Sequence, residues 1–330
     1  MILNIKKLTI FISLLIFQVV HSQSIRCKQC KKPIKNQYIV VDKKKYHKQC
    51  YKNHIQPKCD ICKNHIEGTY NIEKGKKYHK QCYENVVLPK CAVCKKAIKT
   101  TYIIDKWDNK YHKSHTNKLP NCESCNRIIC KNITNGGYNI GKNRNVCSLC
   151  EPFLVDKRKL VNKYAKEVKK ELYNVGIKNL PKRIPITLVS SRKKLKKFSK
   201  IKHINLSGYT NYEYETLNGK ITKEDYHIYI LSGLHEVEFK SVLAHEFLHV
   251  YLFQNKYKLR PENREGFCNL ASQLIYENDN SKYADLKIDA MYENPDPIYG
   301  LGFQKMNRIL RQRGWTQLLK NLSISSTSGS

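Results

Sequence analysis

A register of cysteine and histidine pairs limits most what this chain can fold into. Cys27-x2-Cys30 is followed by His47-x2-Cys50, and Cys59-x2-Cys62 by His79-x2-Cys82. Cys91-x2-Cys94 is followed by His112-x2-His115, and Cys122-x2-Cys125 by Cys147-x2-Cys150. The units begin at Cys27, Cys59, Cys91 and Cys122, at intervals of 32, 32 and 31 residues. Text repeats with them: Tyr46-His-Lys-Gln-Cys-Tyr51 recurs at Tyr78–Tyr83, and Pro57-Lys-Cys59 at Pro89–Cys91. Repetition at this period means an array of similar modules. A segment so short buries too little apolar surface to hold itself together and needs a staple. Two pairs of soft ligands per unit suit a closed tetrahedral zinc site, and ligation then supplies folding free energy.

A disulfide framework is the rival reading. Residues 1–22 carry Lys6-Lys7, an apolar stretch from Leu8 to Val20 and the cleavage-like Val20-His21-Ser22, the pattern of a signal peptide. A secreted or otherwise exported protein meets an oxidising compartment; a cytoplasmic location is the alternative. Yet histidine replaces cysteine in register, and disulfides have no use for histidine. About four structural zinc ions are therefore expected. Cys130 and Cys268 fall outside the register, and Cys268 reads as a buried apolar position.

A second pattern carries the chemistry. His245-Glu246-Phe-Leu-His249 lies in the apolar run Val242–Leu252. On a helix, residues four apart share a face, so both imidazoles can reach one zinc ion while Glu246 sits beside it as general base. Such a site needs a third protein ligand. After the turn-like stretch Gln254–Arg260, Pro261 opens a helix carrying Glu262 and Glu265. If the two helices pack antiparallel, Glu265 returns over the histidine pair; Glu262, one turn earlier, is its competitor.

The remainder reads as α+β. Apolar spacing predicts a helix over 156–175 with Gly176 as its cap, and a strand over 184–189. Two strands follow, Tyr209–Leu217 and Ile221–Ile230, joined by the hairpin signal Asn218-Gly219. Further helices are expected over 240–255, 264–278, 281–292 and 303–321. The domain plan is a signal segment at 1–22, four zinc modules at 23–152, a catalytic domain at 153–322 and a polar, disordered tail at 323–330. No stretch after the signal segment is apolar enough to span a membrane. The net charge of +34 attracts acidic partners in general, but it is nearly all evenly spread lysine, with no arginine cluster or aromatic platform for specific nucleic-acid recognition.

At these residues the chain resembles the LIM-domain peptidases related to the plant organ-size regulator DA-one. The shared pieces are Leu243-Ala-His-Glu-x-x-His249, Glu265-Gly-x-Cys268, Pro297-Ile-Tyr-Gly-x-Gly-Phe303 and the order of Cys-x2-Cys modules ahead of them. The resemblance implies a zincin-like metallopeptidase domain preceded by a tandem array of small LIM-like zinc modules. It implies an endopeptidase acting on protein substrates, with His245, His249 and Glu265 holding one catalytic zinc and Glu246 as base. Tyr299, in the Pro-x-Tyr-Gly segment, is a candidate donor to the developing oxyanion; a packing or turn role is the alternative. The modules depart from LIM domains in spacing, since eight residues separate Cys50 from Cys59, and they are better described as single-zinc units for docking substrates or partners. A non-catalytic zinc-finger scaffold and a secreted polyanion binder are the other readings.

Overall fold

The computed structural model describes residues 9–10, 25–199 and 206–327. The expected signal segment lies outside them except for Thr9–Ile10. The chain divides into two compact units, Met1–Lys118 and Leu119–Ser330. Helices and strands are mixed, and among the described residues no helix is long and apolar enough to cross a membrane.

The first unit repeats one plan. After each Cys-x2-Cys comes a left-handed residue, Lys31, Lys63 or Lys95, with φ near 60°. There the amide turns back to the first cysteine's carbonyl: Lys31, Lys63 and Lys95 donate to Cys27, Cys59 and Cys91 at 2.8 Å. A hairpin follows, pairing Tyr38–Val41 with Lys44–His47, Tyr70–Glu73 with Lys76–Tyr78, and Tyr102–Ile104 with Lys110–His112. Each closing strand leads directly to the module's histidine, and a short helical turn presents the last ligand. The cores are small: in the first module only Cys27, Tyr46 and Tyr51 are fully buried in the cluster. So little burial is consistent with modules whose folding depends on a bound ion.

The second unit begins with the fourth Cys-x2-Cys module, which the boundary expected at 152 would have placed with the array. Its hairpin pairs Gly137–Gly141 with Arg144–Cys147. Arg144 donates to Glu123 (2.7 Å) and to the Ser232 carbonyl (2.8 Å), and Glu123 also pairs with Arg192. Directly after Cys150 and a short turn, strand β1 (Leu154–Val155) pairs antiparallel with Leu234–His235, the two residues that lead into the histidine-bearing helix. This module is therefore built into the entry of that helix.

Helix α1 (Arg158–Asn174) buries Val161, Tyr164, Val168 and Leu172 of the stripe its spacing predicts, while Leu160, the fifth residue of that stripe, is only partly buried. Gly176, at φ 98°, ends it as expected. The sheet is β2 (Ile186–Val189), β3 (Gly208–Leu217) and β4 (Lys220–Leu231), in order β2-β4-β3. The predicted hairpin forms through Asn218 and Gly219, both with positive φ. β2 runs parallel to β4, and β3 lies at the edge. Helix α2 (Arg192–Ser199) precedes β3, and β5 (Leu234–His235) precedes helix α3 (Glu236–Gln254).

Buried Phe239, Leu243, Ala244, Phe247, Leu248, Val250 and Leu252 surround α3 on most sides, the mark of a central helix rather than an amphipathic surface one. Helix α4 (Pro261–Glu277) packs antiparallel to it: Ser241 meets Ser272, His245 meets Asn269, and His249 meets Glu265. Helices α5 (Lys282–Glu293) and α6 (Leu301–Thr327) complete the unit. Interrupted at Gly314 (φ 70°), α6 runs past the expected end at 321 into the stretch expected as a disordered tail. α4 and α6 cross backbone to backbone. A Cβ on Gly266 would stand 2.3 Å from the Gly302 carbonyl oxygen, and one on Gly302 would stand 2.3 Å from that of Glu262. The glycine of Glu265-Gly and the second glycine of the Pro297–Phe303 segment are thus two halves of one contact.

Candidate metal centre

Four groups of ligand atoms in the Cys/His register each converge within 4.8 Å: Cys27, Cys30, His47, Cys50; Cys59, Cys62, His79, Cys82; Cys91, Cys94, His112, His115; and Cys122, Cys125, Cys147, Cys150. Among the described residues no disulfide joins any cysteine. The Sγ atoms of Cys125 and Cys147 are 3.7 Å apart; two thiolates on one tetrahedral zinc stand about 3.8 Å apart, given Zn–S bonds of about 2.3 Å. In the first three modules the histidine turns Nδ1 to the thiols, at 3.4, 3.3 and 3.5 Å from Cys30, Cys62 and Cys94. Its Nε2 meets the carbonyl oxygen of Pro33, His65 or Ala97. A carbonyl can only accept, so Nε2 carries the proton and Nδ1 keeps its lone pair for a metal. Burial disfavours the Cys27 and Cys59 thiolates, but backbone N–H groups from Cys30 and His47, and from Cys62 and His79, outweigh it and lower both thiols to about 6. These donor sets fit zinc.

The fifth cluster lies between α3 and α4. His245 Nε2 and His249 Nε2 are 3.1 Å apart, and Glu265 Oε2 lies 3.3 Å from the first and 3.4 Å from the second. Three ligand atoms on a tetrahedral ion with bonds of about 2.0–2.1 Å stand about 3.3 Å from one another, so this triangle has the size of one face of a zinc site. Glu265 is the acidic residue the antiparallel packing brings in; Glu262 instead faces α6 through its backbone. Arg264 Nε donates to Glu265 Oε1 at 3.1 Å and leaves Oε2 for the histidines. Cys268 also forms a group with the two histidines, its Sγ 3.5 Å from His249 Nδ1. One imidazole ligates a small ion through one nitrogen, and both Nε2 atoms converge on Glu265. Cys268 therefore stands behind His249, buried as expected, its thiol kept protonated by burial.

Behind His245 the hydrogen bonds decide the tautomer. Asn269 Nδ2 donates to the Tyr299 carbonyl (2.9 Å), which turns Asn269 Oδ1 toward His245 Nδ1, also at 2.9 Å. An amide oxygen accepts, so Nδ1 carries the proton and Nε2 presents its lone pair. Neither Asn269 nor Arg264 was singled out from sequence; the Glu-x-x-x-Asn spacing that puts Glu265 and Asn269 on one helical face was the available signal.

Burial opposes the Glu265 carboxylate, but the two imidazoles outweigh it and hold its pKa well below the usual range. Burial alone would lower His245; its partners Glu265, Glu246 and Asn269 raise it above the ordinary 6.5. A metal must displace that imidazolium proton. Zinc affinity is therefore expected to rise with pH through the imidazole range and to level off above the raised pKa. Competition against a chelating dye from about pH 5.5 to about pH 8 measures this, and a flat profile would contradict the assignment.

Glu246 is buried beside the triangle, at 5 % exposure. Thr210 Oγ1 on β3 donates to Glu246 Oε2 at 2.7 Å. Two residues earlier, Gly208 leaves room for the same carboxylate: a Cβ there would stand 2.5 Å from Oε1 and 2.6 Å from Val242 Cγ1. The strand was predicted, but not that Gly208 and Thr210 seat the Glu246 carboxylate, because alternation along a strand does not say which face meets the helix. Gly208→Ala is expected to displace the Glu246 carboxylate without touching the three convergent atoms. Any hydrolysis that Glu246 supports should fall about 100-fold with zinc content unchanged, as steady-state kinetics beside metal analysis would show.

The cluster opens to two cavities, of about 370 and 680 Å³, that share Leu206, Gly208, His245, Glu246 and Tyr299. Tyr299 thus borders both, and burial followed by the nearby Glu265 and Glu246 charges pushes its hydroxyl up to about 12, so it stays a donor at neutral pH. Its backbone is pinned in a turn: Asp296 Oδ1 accepts from the Ile298 and Tyr299 amides at 2.9 and 2.8 Å. The donor and turn roles left open by the sequence are compatible in this one residue.

Among curated proteins, no sequence matches the chain. The family model DA1-like, described as Protein DA1, matches residues 151–289. That span begins after Cys150 and contains His245, Glu246, His249 and Glu265, but not the Pro297–Phe303 segment. Residues 151–289 are therefore similar to the DA1-like family, the one that the histidine–glutamate motifs resemble.

Proposed function

We propose that the protein is an exported zinc-dependent endopeptidase acting on protein substrates, with its zinc modules docking substrates or partners. The observation that carries this reading is the triangle of His245, His249 and Glu265 at zinc spacing with a buried carboxylate, Glu246, held beside it by Thr210. When bound, zinc supplies a Lewis acid that polarises a water molecule and the scissile carbonyl. Glu246 accepts the proton of the attacking water and returns it to the leaving amine nitrogen. Thr210 and Gly208 keep that carboxylate in place, and the Tyr299 hydroxyl donates to the developing oxyanion. The edge strand β3, whose Gly208, Thr210 and Tyr212 line the smaller cavity, pairs with an extended substrate through its main chain.

The test is metal dependence with product mapping. The full chain, stripped by a chelator, should cut no member of a mixture of unstructured proteins, and added zinc should restore internal cuts seen by mass spectrometry. Zinc-loaded protein that cuts nothing would defeat the proposal.

A further inference from the structure

The larger cavity, of about 680 Å³, lies among α3, α4 and α5 and opens onto the metal triangle at His245. Along α3 its wall is Glu238, Ser241, Val242 and His245, a single helical face. Glu238 is seven residues before His245, so it lies about 10 Å further along the axis at about 1.5 Å per residue. An extended long side chain held beside the metal spans much of that distance. The wall includes apolar Val242 and Met291 and polar Asn269, Asn294 and Asp296, the last already accepting the Ile298 and Tyr299 amides, and the end at Glu238 holds a charge pair. Lys287 Nζ and the Tyr283 hydroxyl both donate to Glu238 Oε2, each at 2.8 Å. Neither takes Oε1, and the ammonium has further N–H donors.

We propose that this cavity receives the side chain of a substrate residue flanking the scissile bond, and that the Glu238–Lys287 pair selects a long side chain ending in a neutral group that both donates and accepts, such as glutamine or tyrosine. The inference rests on the peptidase reading and adds a substrate preference to it. The physical reason is charge balance. The pair is net neutral and only partly solvated, with side chains 19 % and 25 % exposed. A second cation would be desolvated beside Lys287, and a second anion beside Glu238; either faces one favourable and one repulsive partner. A carboxamide or phenol can instead donate to Glu238 Oε1 and accept from Lys287 without changing the charge. Burial opposes the Glu238 carboxylate, but Lys287 and Tyr283 outweigh it and keep it ionised, so the pair persists at neutral pH.

The experiment digests a peptide mixture with the zinc-loaded full chain and reads the residues beside each cut by mass spectrometry. The wild type should favour glutamine over glutamate and arginine, and tyrosine over phenylalanine, by about tenfold at one flanking position. Glu238→Gln leaves the lysine unopposed and should move that preference about tenfold toward glutamate. Lys287→Met leaves the carboxylate unopposed and should move it about tenfold toward arginine and lysine. Because the peptides compete in one reaction, these ratios do not depend on how much variant is folded. The same preference in all three proteins, or a wild-type preference for a charged residue, overturns the inference and leaves the peptidase reading standing. No cutting by the wild type overturns both, and is seen before any variant is made.

Discussion

Glu246→Gln is expected to bind zinc as tightly as the wild type and to lose about 10²–10⁴-fold in peptide hydrolysis. Glutamine keeps the shape, and its side-chain oxygen can still accept the bond from Thr210 Oγ1, now 2.7 Å from Glu246 Oε2. What disappears is a carboxylate able to take and return a proton. Zinc content should not change, because the convergent atoms belong to His245, His249 and Glu265. Turnover on any peptide found by product mapping, beside zinc per chain, measures both halves. Unchanged hydrolysis in zinc-loaded Glu246→Gln would sink the mechanism; hydrolysis absent from both proteins would favour the scaffold reading.

Cys147→Ser should cost more than the loss of one local module. Cys147 is fully buried, its thiol converges with those of Cys122, Cys125 and Cys150, and its amide donates to Cys122 Sγ at 3.3 Å. Zinc ligation in small modules supplies roughly 10–16 kcal/mol of apparent binding free energy at neutral pH, more than most whole domains have in net stability. In this chain that energy supports the entry to α3. Three residues before Cys147, Arg144 ties the hairpin to Ser232. Four residues after Cys150, β1 begins its pairing with Leu234–His235. His235 then accepts the Val237 amide at Nδ1 and stacks on Tyr283 with ring centroids 4.1 Å apart. Tyr283 in turn bonds Glu238 on the same helix. Loss of the fourth metal should therefore lower the melting temperature of the second unit and remove hydrolysis of short peptides with it.

Cys59→Ser supplies the contrast. It breaks a module of the first compact unit, so short-peptide turnover should stay near the wild-type value while zinc per chain falls by one. Thermal melts, zinc counts and a short reporter peptide separate the two outcomes. Equal effects of Cys147→Ser and Cys59→Ser on short-peptide turnover would show that the fourth module supports helix α3 no more than the others do.

Much of this arrangement is legible in the sequence. Ligand spacing depends on covalent geometry and helical pitch, so Cys-x2-Cys and His-Glu-x-x-His placed their donors in clusters without knowledge of the wider fold. The Asn218-Gly219 turn and the stripe Val161, Tyr164, Val168, Leu172 were local in the same sense. The attachment of the fourth module was not, because it rests on Arg144, Glu123, Arg192 and Ser232, which lie far apart in the chain. Nor did spacing alone separate Glu265 from Glu262, since both precede the same helical face and the choice depends on the rotation of α4 against α3.

By itself the sequence determined the donor types, their grouping into five clusters, and the helix that carries Glu246. Tertiary structure decided which carboxylate closes the triangle, what seats Glu246, and what lies at the end of the larger cavity. The physical reason is range. Ligand and turn signals act over a few residues of one segment, whereas the Gly266–Gly302 crossing, the Thr210–Glu246 bond and the Glu238–Lys287 pair join segments that meet only when the core packs.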